Sequence, residues 1–144
     1  MENKIITSGK RKTAIARAVL TPGKGIIKIN EINYKNLQFF NKLKIEEPIK
    51  IAEKILGKVN FDIIINVRGG GEKSQIEAAR LALAKAILEF SKKQNSNVNS
   101  LLSKKLEKTY LEYDRNMLIA DVRRKEAYKP GDSKARKNRQ TSYR

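Results

Sequence analysis

Two fragments of this chain have the composition to hold a phosphate: Gly69-Gly70-Gly71-Glu72-Lys73-Ser74 and Gly9-Lys10-Arg11-Lys12. A nucleotide-cradling P-loop needs Gly-Lys followed at once by Ser or Thr, after four spacers from an earlier glycine. Glu72 separates the glycines from Lys73, and Arg11 rather than Ser or Thr follows Lys10, so neither fragment qualifies. The triple glycine still has a use. Backbone without Cβ atoms lets a partner come close, and N–H groups at a helix start face an anion. With Arg68 just before it, a phosphate-backbone contact by Arg68, Gly69, Gly70 and Gly71 is the favoured expectation; a plain tight turn is the alternative.

Catalytic chemistry finds no foothold. The chain has no histidine and no cysteine, which removes imidazole bases, thiol nucleophiles, disulfides and His/Cys metal sites together. Glu46 and Glu47 suit a helix start, where the dipole favours negative charge, and Glu72 and Glu77 suit the start or exposed face of another. No enzyme, cofactor or metal is expected.

Charge gives the partner class. Lys and Arg number 32 against 15 Asp and Glu among 144 residues, a formal net charge of +17. So dense a charge repels itself, and a phosphate backbone is its usual counterweight. A membrane surface would need a basic amphipathic helix, whereas the cations here crowd the two ends of the chain. No stretch approaches the roughly 18 apolar residues of a membrane span, and residues 1–20 lack the apolar block of a signal peptide. A soluble, cytoplasmic protein is expected.

The elements that must position these groups read as follows. Residues 4–29 form a strand meander: Ile5 and Ile6 open it, Gly9-Lys10-Arg11-Lys12 make a basic turn, and a strand follows from Thr13 to Leu20. Thr21-Pro22-Gly23-Lys24-Gly25 turns the chain, and Ile26 to Ile29 return as a strand. Alternation places Arg11, Ile15, Arg17 and Val19 on one side. Two short helices come next: one capped by Asn33 and carrying Leu37 and Phe40, one from Glu47-Pro48 to its stop at Gly57. Phe61, Ile63, Ile65 and Val67 share one face of a strand, with Asp62 and Asn66 on the other. Glu72 to Phe90 is a helix with an apolar stripe of Ile76, Ala79, Leu83, Ile87 and Phe90. Lys92 to Asn99 reads as a polar linker, and a last helix from Ser100 to Glu112 presents Leu102, Leu106, Tyr110 and Tyr113. On the long helix Lys73, Glu77 and Arg80 lie away from the stripe; Arg80 could contact RNA or pair with Glu77.

A globular body, residues 1–122, then gives way to a tail, residues 123–144. The tail holds nine basic and two acidic residues and no Ile, Leu, Val, Phe or Met. With nothing to build a core it is expected to be disordered alone in water and to order against phosphates. Fully extended at about 3.3 Å per residue it spans roughly 70 Å, far beyond the radius of such a domain. Arg offers forked donors and stacking planes for folded RNA, and Tyr128 and Tyr143 can stack on exposed bases. The RNA-contacting candidates in the body are Lys10, Arg11, Lys12, Arg17, Arg68 to Gly71, Lys73 and Arg80.

These residues converge on a family pattern. Gly9-Lys10-Arg11-Lys12-Thr13-Ala14-Ile15-Ala16-Arg17-Ala18 is followed by Gly23-Lys24-Gly25 with Ile27-Lys28-Ile29-Asn30, then by Val67-Arg68 and the three glycines leading to Gln75 and Ala79-Arg80. Tyr113-Asp114-Arg115, Asp121-Val122-Arg123-Arg124 and Lys129-Pro130-Gly131 complete it. The chain resembles the S-nine family of small-subunit ribosomal proteins over nearly its whole length, and its end resembles the archaeal and eukaryotic branch. It departs from the pattern at Ser74 and at Glu31, where glycine is common.

The resemblance implies an α+β fold of the ribosomal-protein S-five domain-two-like type. That is a mixed β-sheet with helices packed on it, an unusual left-handed crossover and an extended basic C-terminal tail. It implies a ribosome-bound structural protein of the small-subunit head, whose partners are small-subunit rRNA, peptidyl-site tRNA and neighbouring head proteins. Matched to the family, Gln75, Arg115, Arg123, Arg124, Lys125, Lys129, Lys134, Arg136 and Lys137 join the rRNA-binding set. Arg139, Tyr143 and Arg144 stand nearest the anticodon stem-loop. Two other classes are a free RNA chaperone, marked by generic duplex binding without ribosome co-sedimentation, and a small-molecule kinase of similar fold, marked by nucleotide binding.

Overall fold

The computed structural model describes residues 4–57, 60–93 and 97–127. The architecture is α+β. Strands β1 (Ile5–Arg11), β2 (Ala14–Pro22), β3 (Ile27–Ile29), β4 (Ile32–Asn33) and β5 (Phe61–Arg68) form one mixed sheet in the order β1-β2-β5-β3-β4. Helices α1 (Phe39–Leu56), α2 (Glu72–Lys93) and α3 (Asn97–Tyr113) complete the described fold with short 3-10 turns at Tyr34–Asn36 and Arg115–Met117.

Strict alternation in the strands buries one face of the sheet. Ile5, Thr7 and Gly9 of β1, Ala14, Ala16, Ala18 and Leu20 of β2, and Phe61, Ile63, Ile65 and Val67 of β5 all point inward. Helix α2 crosses β1 and β2 closely because the facing residues are small. A Cβ on Gly9 would stand 2.2 Å from the Ala78 carbonyl oxygen. The Thr7 hydroxyl donates to the Ala82 carbonyl at 2.8 Å, satisfying a buried polar group. Bulk returns at the periphery, where Phe61 meets Phe90 edge-on at 5.6 Å and α1 and α3 cover the rest of α2. The stripe Ile76, Ala79, Leu83 and Ile87 is buried as expected. Leu81, Ala82, Ala86 and Leu88 are buried too, because helices press on more than one side.

Several expectations need correction. The first three strands are not a meander: β3 leaves β2 and pairs in parallel with β5, Ile27 opposite Ile63. Gly9, Lys10 and Arg11 belong to β1, and only Lys12 and Thr13 turn the chain. Arg11 therefore faces inward opposite Ala14, not outward with Ile15 and Arg17, because the two-residue turn reverses the parity of the alternation. The two short helices are one 3-10 turn, which Asn33 does cap through the Lys35 N–H, and one 18-residue helix that carries Pro48 in its interior. Pro48 lacks the N–H that would bond the Lys44 carbonyl; it is buried, and its own carbonyl accepts the Tyr110 hydroxyl at 2.7 Å. Phe40 is 78% exposed and packs on no core. Glu46 and Glu47 thus lie mid-helix. The polar linker is shorter than read, since α2 runs to Lys93 and α3 starts at Asn97.

Two turns show why particular residues stand where they do. Asp62, half-buried on β5, accepts the N–H groups of Lys24, Gly25 and Ile26 at 2.8–2.9 Å and so shapes the β2–β3 turn. Those bonds, the Ile26 N–H foremost, hold its carboxyl below the ordinary value. In the β3–β4 turn Asn30 and Glu31 take positive φ of 45° and 71°, which is why glycine suits the Glu31 position. The Asn30 side chain bonds the Val67 backbone twice, at 2.8 and 3.2 Å, tying that turn to the end of β5.

Candidate nucleic-acid interface

The β1–β2 turn and the glycine turn meet at one end of the sheet. Gly69 and Gly70 adopt φ of 75° and 70°. A Cβ on Gly69 would lie 2.7 Å from the Thr13 carbonyl oxygen, and one on Gly70 would lie 3.0 Å from Ala14 Cβ. Chain packing thus accounts for both glycines, while Gly71 has open space around it. Gln75 holds the turn by donating from Nε2 to the Gly69 carbonyl at 3.2 Å.

On the outward face beside these turns lies an open basic strip. Ile15 is the register partner of both Lys10 and Arg68, and Arg17 stands between Ser8 and Asn66, so Lys10, Arg17 and Arg68 share that face. Lys12 and Lys73 are exposed at the adjoining turn and helix start. None of these five makes an ion pair with another described residue. Cations left without carboxylates are free to meet phosphates.

Beneath the strip the cations are spent. Arg11 donates from Nε to Glu77 at 2.7 Å and from a terminal nitrogen to Asp121, leaving its side chain 19% exposed. Glu77 also receives Lys44 at 3.2 Å. Burial alone would push the Glu77 carboxyl up; the Lys44 and Arg11 hydrogen bonds outweigh it and hold the group below its ordinary value. Arg80, 12% exposed, binds Glu47 at 2.5 Å and Asp114 at 2.6 Å. The pairing of Arg80 with Glu77 allowed by helical spacing does not form, since each is claimed by a neighbour from another element.

The C-terminal segment comes back to this end of the sheet. Asp114 caps the 3-10 turn through the Asn116 N–H at 2.8 Å, with Arg115 exposed beside it. Asp121 accepts the Arg123 backbone N–H at 2.9 Å and its guanidinium at 2.8 Å, and these with Arg11 hold the carboxyl well below its usual range. Arg124 donates to the Lys12 carbonyl at 2.5 Å, and Lys125 is exposed next to it. Tyr128, Lys129, Lys134, Arg136, Lys137, Arg139, Tyr143 and Arg144 lie outside the described residues. Reading the sequence for cations missed Glu47, Asp114 and Asp121 as the carboxylates that organise them, and offered Glu77 to Arg80 where it binds Arg11. The one available signal was the acid in each of the patterns Asp114-Arg115 and Asp121-Val122-Arg123. Among the described residues there is no acidic cluster fit for a metal, and no helix is long and apolar enough to cross a membrane.

Comparison with known proteins gives one answer. The model of the ribosomal protein S9/S16 family matches residues 9–144. The small ribosomal subunit protein uS9 of Methanococcus vannielii is 43% identical over 141 residues, 96% of either chain. That of Desulfurococcus amylolyticus is 43% identical over 97% of this chain and 92% of its own. The uS9 of Dictyostelium discoideum is 42% identical over 99% and 95%. The chain belongs to the ribosomal protein S9/S16 family, structural proteins of the small ribosomal subunit that serve translation.

Proposed function

We propose that the chain is a ribosome-bound, non-catalytic protein of the small-subunit head whose body holds rRNA and whose tail, residues 123–144, reaches the peptidyl-site tRNA. The observation that carries the rRNA reading is the outward strip of Lys10, Lys12, Arg17, Arg68 and Lys73, exposed and without carboxylate partners among the described residues, at the end of the sheet where both turns meet. Such a strip contacts phosphates and positions the protein without reading base sequence. Arg115, Arg123, Arg124 and Lys125 extend the surface along the departing C-terminal segment. The tail follows with its further cations and almost no apolar residues, a composition that orders only against a charged partner.

The tail reading predicts salt-sensitive support of any tRNA at the peptidyl site through its phosphates. Ribosomes carrying the protein with Arg139–Arg144 deleted should assemble normally and bind peptidyl-site tRNA more weakly, or hold reading frame less faithfully. Unchanged tRNA affinity and fidelity would remove the tail from that role. Migration of the tagged protein with small subunits through a sucrose gradient at high salt tests stable incorporation; recovery at the top would point to a free RNA-binding protein.

A further inference from the structure

Arg11 lies in the most basic stretch of the body, yet its guanidinium faces inward between two carboxylates, Glu77 and Asp121. Asp121 is unlike its surroundings. Its side chain is 10% exposed, whereas residues 122–127 are all exposed and form neither helix nor strand. Met117 is buried and Leu118 packs against the core, but beyond them Ile119 and Val122 are exposed, and no apolar residue of the described segment from 119 to 127 is buried. Polar contacts hold it instead: Asp121 to Arg11, and Arg124 to the Lys12 carbonyl.

We infer that Arg11 and Asp121 form a latch that lays Arg123, Arg124 and Lys125 beside Lys12, so that the β1–β2 turn and the C-terminal segment present one pre-formed basic surface to RNA. Arg11 is then a positioning residue and not a phosphate contact. The benefit is pre-organisation. Fixing the backbone of one residue costs about 1–2 kcal/mol, so a segment already in place binds with less loss than one ordered on contact. Arg suits the task because its planar fork serves Glu77 and Asp121 together, which the single ammonium of lysine does less well.

The inference rests on the proposed rRNA reading and makes a prediction of unusual sign. Asp121→Asn removes a negative charge from the RNA-facing side and raises the net charge, so simple electrostatics requires tighter RNA binding. The latch requires weaker binding, about three- to tenfold by the usual size of such couplings. The test is titration of the full-length protein with a transcript of the small-subunit rRNA head domain at two salt concentrations. Arg11→Lys, which leaves net charge unchanged, should weaken binding as well. The double variant Arg11→Gln with Asp121→Asn should bind no worse than Asp121→Asn alone. Trypsin should cut after Arg123 and Arg124 faster in Asp121→Asn at a temperature well below the melt of either protein.

Equal or tighter binding by Asp121→Asn overturns the latch. So does an Arg11→Gln variant that lowers the salt slope by about one unit while Asp121→Asn has no effect, which would make Arg11 a phosphate contact. If the wild-type protein shows no salt-dependent affinity for the transcript, the rRNA reading itself fails and the latch falls with it.

Discussion

Arg11 and Arg17 belong to the same hairpin and carry the same charge, but they lie on opposite faces of the sheet. Arg11 turns inward and is bound by Glu77 and Asp121; Arg17 turns outward between Ser8 and Asn66 and makes no ion pair with another described residue. Arg80 repeats the closed pattern with Glu47 and Asp114, and Lys10 and Arg68 repeat the open one around Ile15. A basic composition therefore divides into cations that hold the fold together and cations left for a partner. Net charge cannot tell the two apart.

The largest effect should come from the closed side. Arg80→Ala leaves Glu47 and Asp114 facing each other across the gap between α1 and the 3-10 turn, and should cost about 2–3 kcal/mol in urea unfolding. A loss below about 0.5 kcal/mol would mean that these pairs merely decorate the surface. Gly69→Ala comes next, at about 2 kcal/mol, because it adds a left-handed residue and a clash with the Thr13 carbonyl at the junction of the two turns. Full stability in that variant would show that the turns separate easily.

Acid should weaken the closed side selectively. Glu77 and Asp121 are held below their ordinary carboxylate values, so their contribution is complete above the unfolded value of about 4 and is lost as pH falls through the folded one. Stability followed by circular dichroism should decline below about pH 4, and the decline should be shallower in Asp121→Asn. Identical acid curves would remove Asp121 from the network. The smallest effect on the fold belongs to Arg17→Gln, within about 0.5 kcal/mol, while the logarithmic salt slope of RNA binding drops by about one unit. A destabilised Arg17→Gln protein with an unchanged slope would reverse the assignment of the two faces.

Much of the core was legible from periodicity. The inward sets Phe61, Ile63, Ile65, Val67 and Ile76, Ala79, Leu83, Ile87 follow from alternation and helical spacing, which are local properties of the chain. The run of outward cations was half legible: Lys10, Lys12, Arg17, Arg68 and Lys73 emerged exposed, while Arg11 and Arg80 did not. Strand order was not legible, since β3 could pair with β2 through a tight turn as readily as with β5 across α1. Nor was the single helix α1, because a Pro at position 48 reads locally as a helix start, whereas the helix runs through it.

By itself the sequence determined the net charge of +17, the absence of imidazole and thiol chemistry, the local periods and the ordered motifs of the family. Tertiary structure alone decided which arginines remain available. The contacts that settle Arg11 span 66 and 110 residues, to Glu77 and to Asp121. No local pattern encodes a pair so far apart. It forms because the sheet, α2 and the returning C-terminal segment bring one cation and two carboxylates into a partly desolvated gap, where pairing offsets the cost of leaving water.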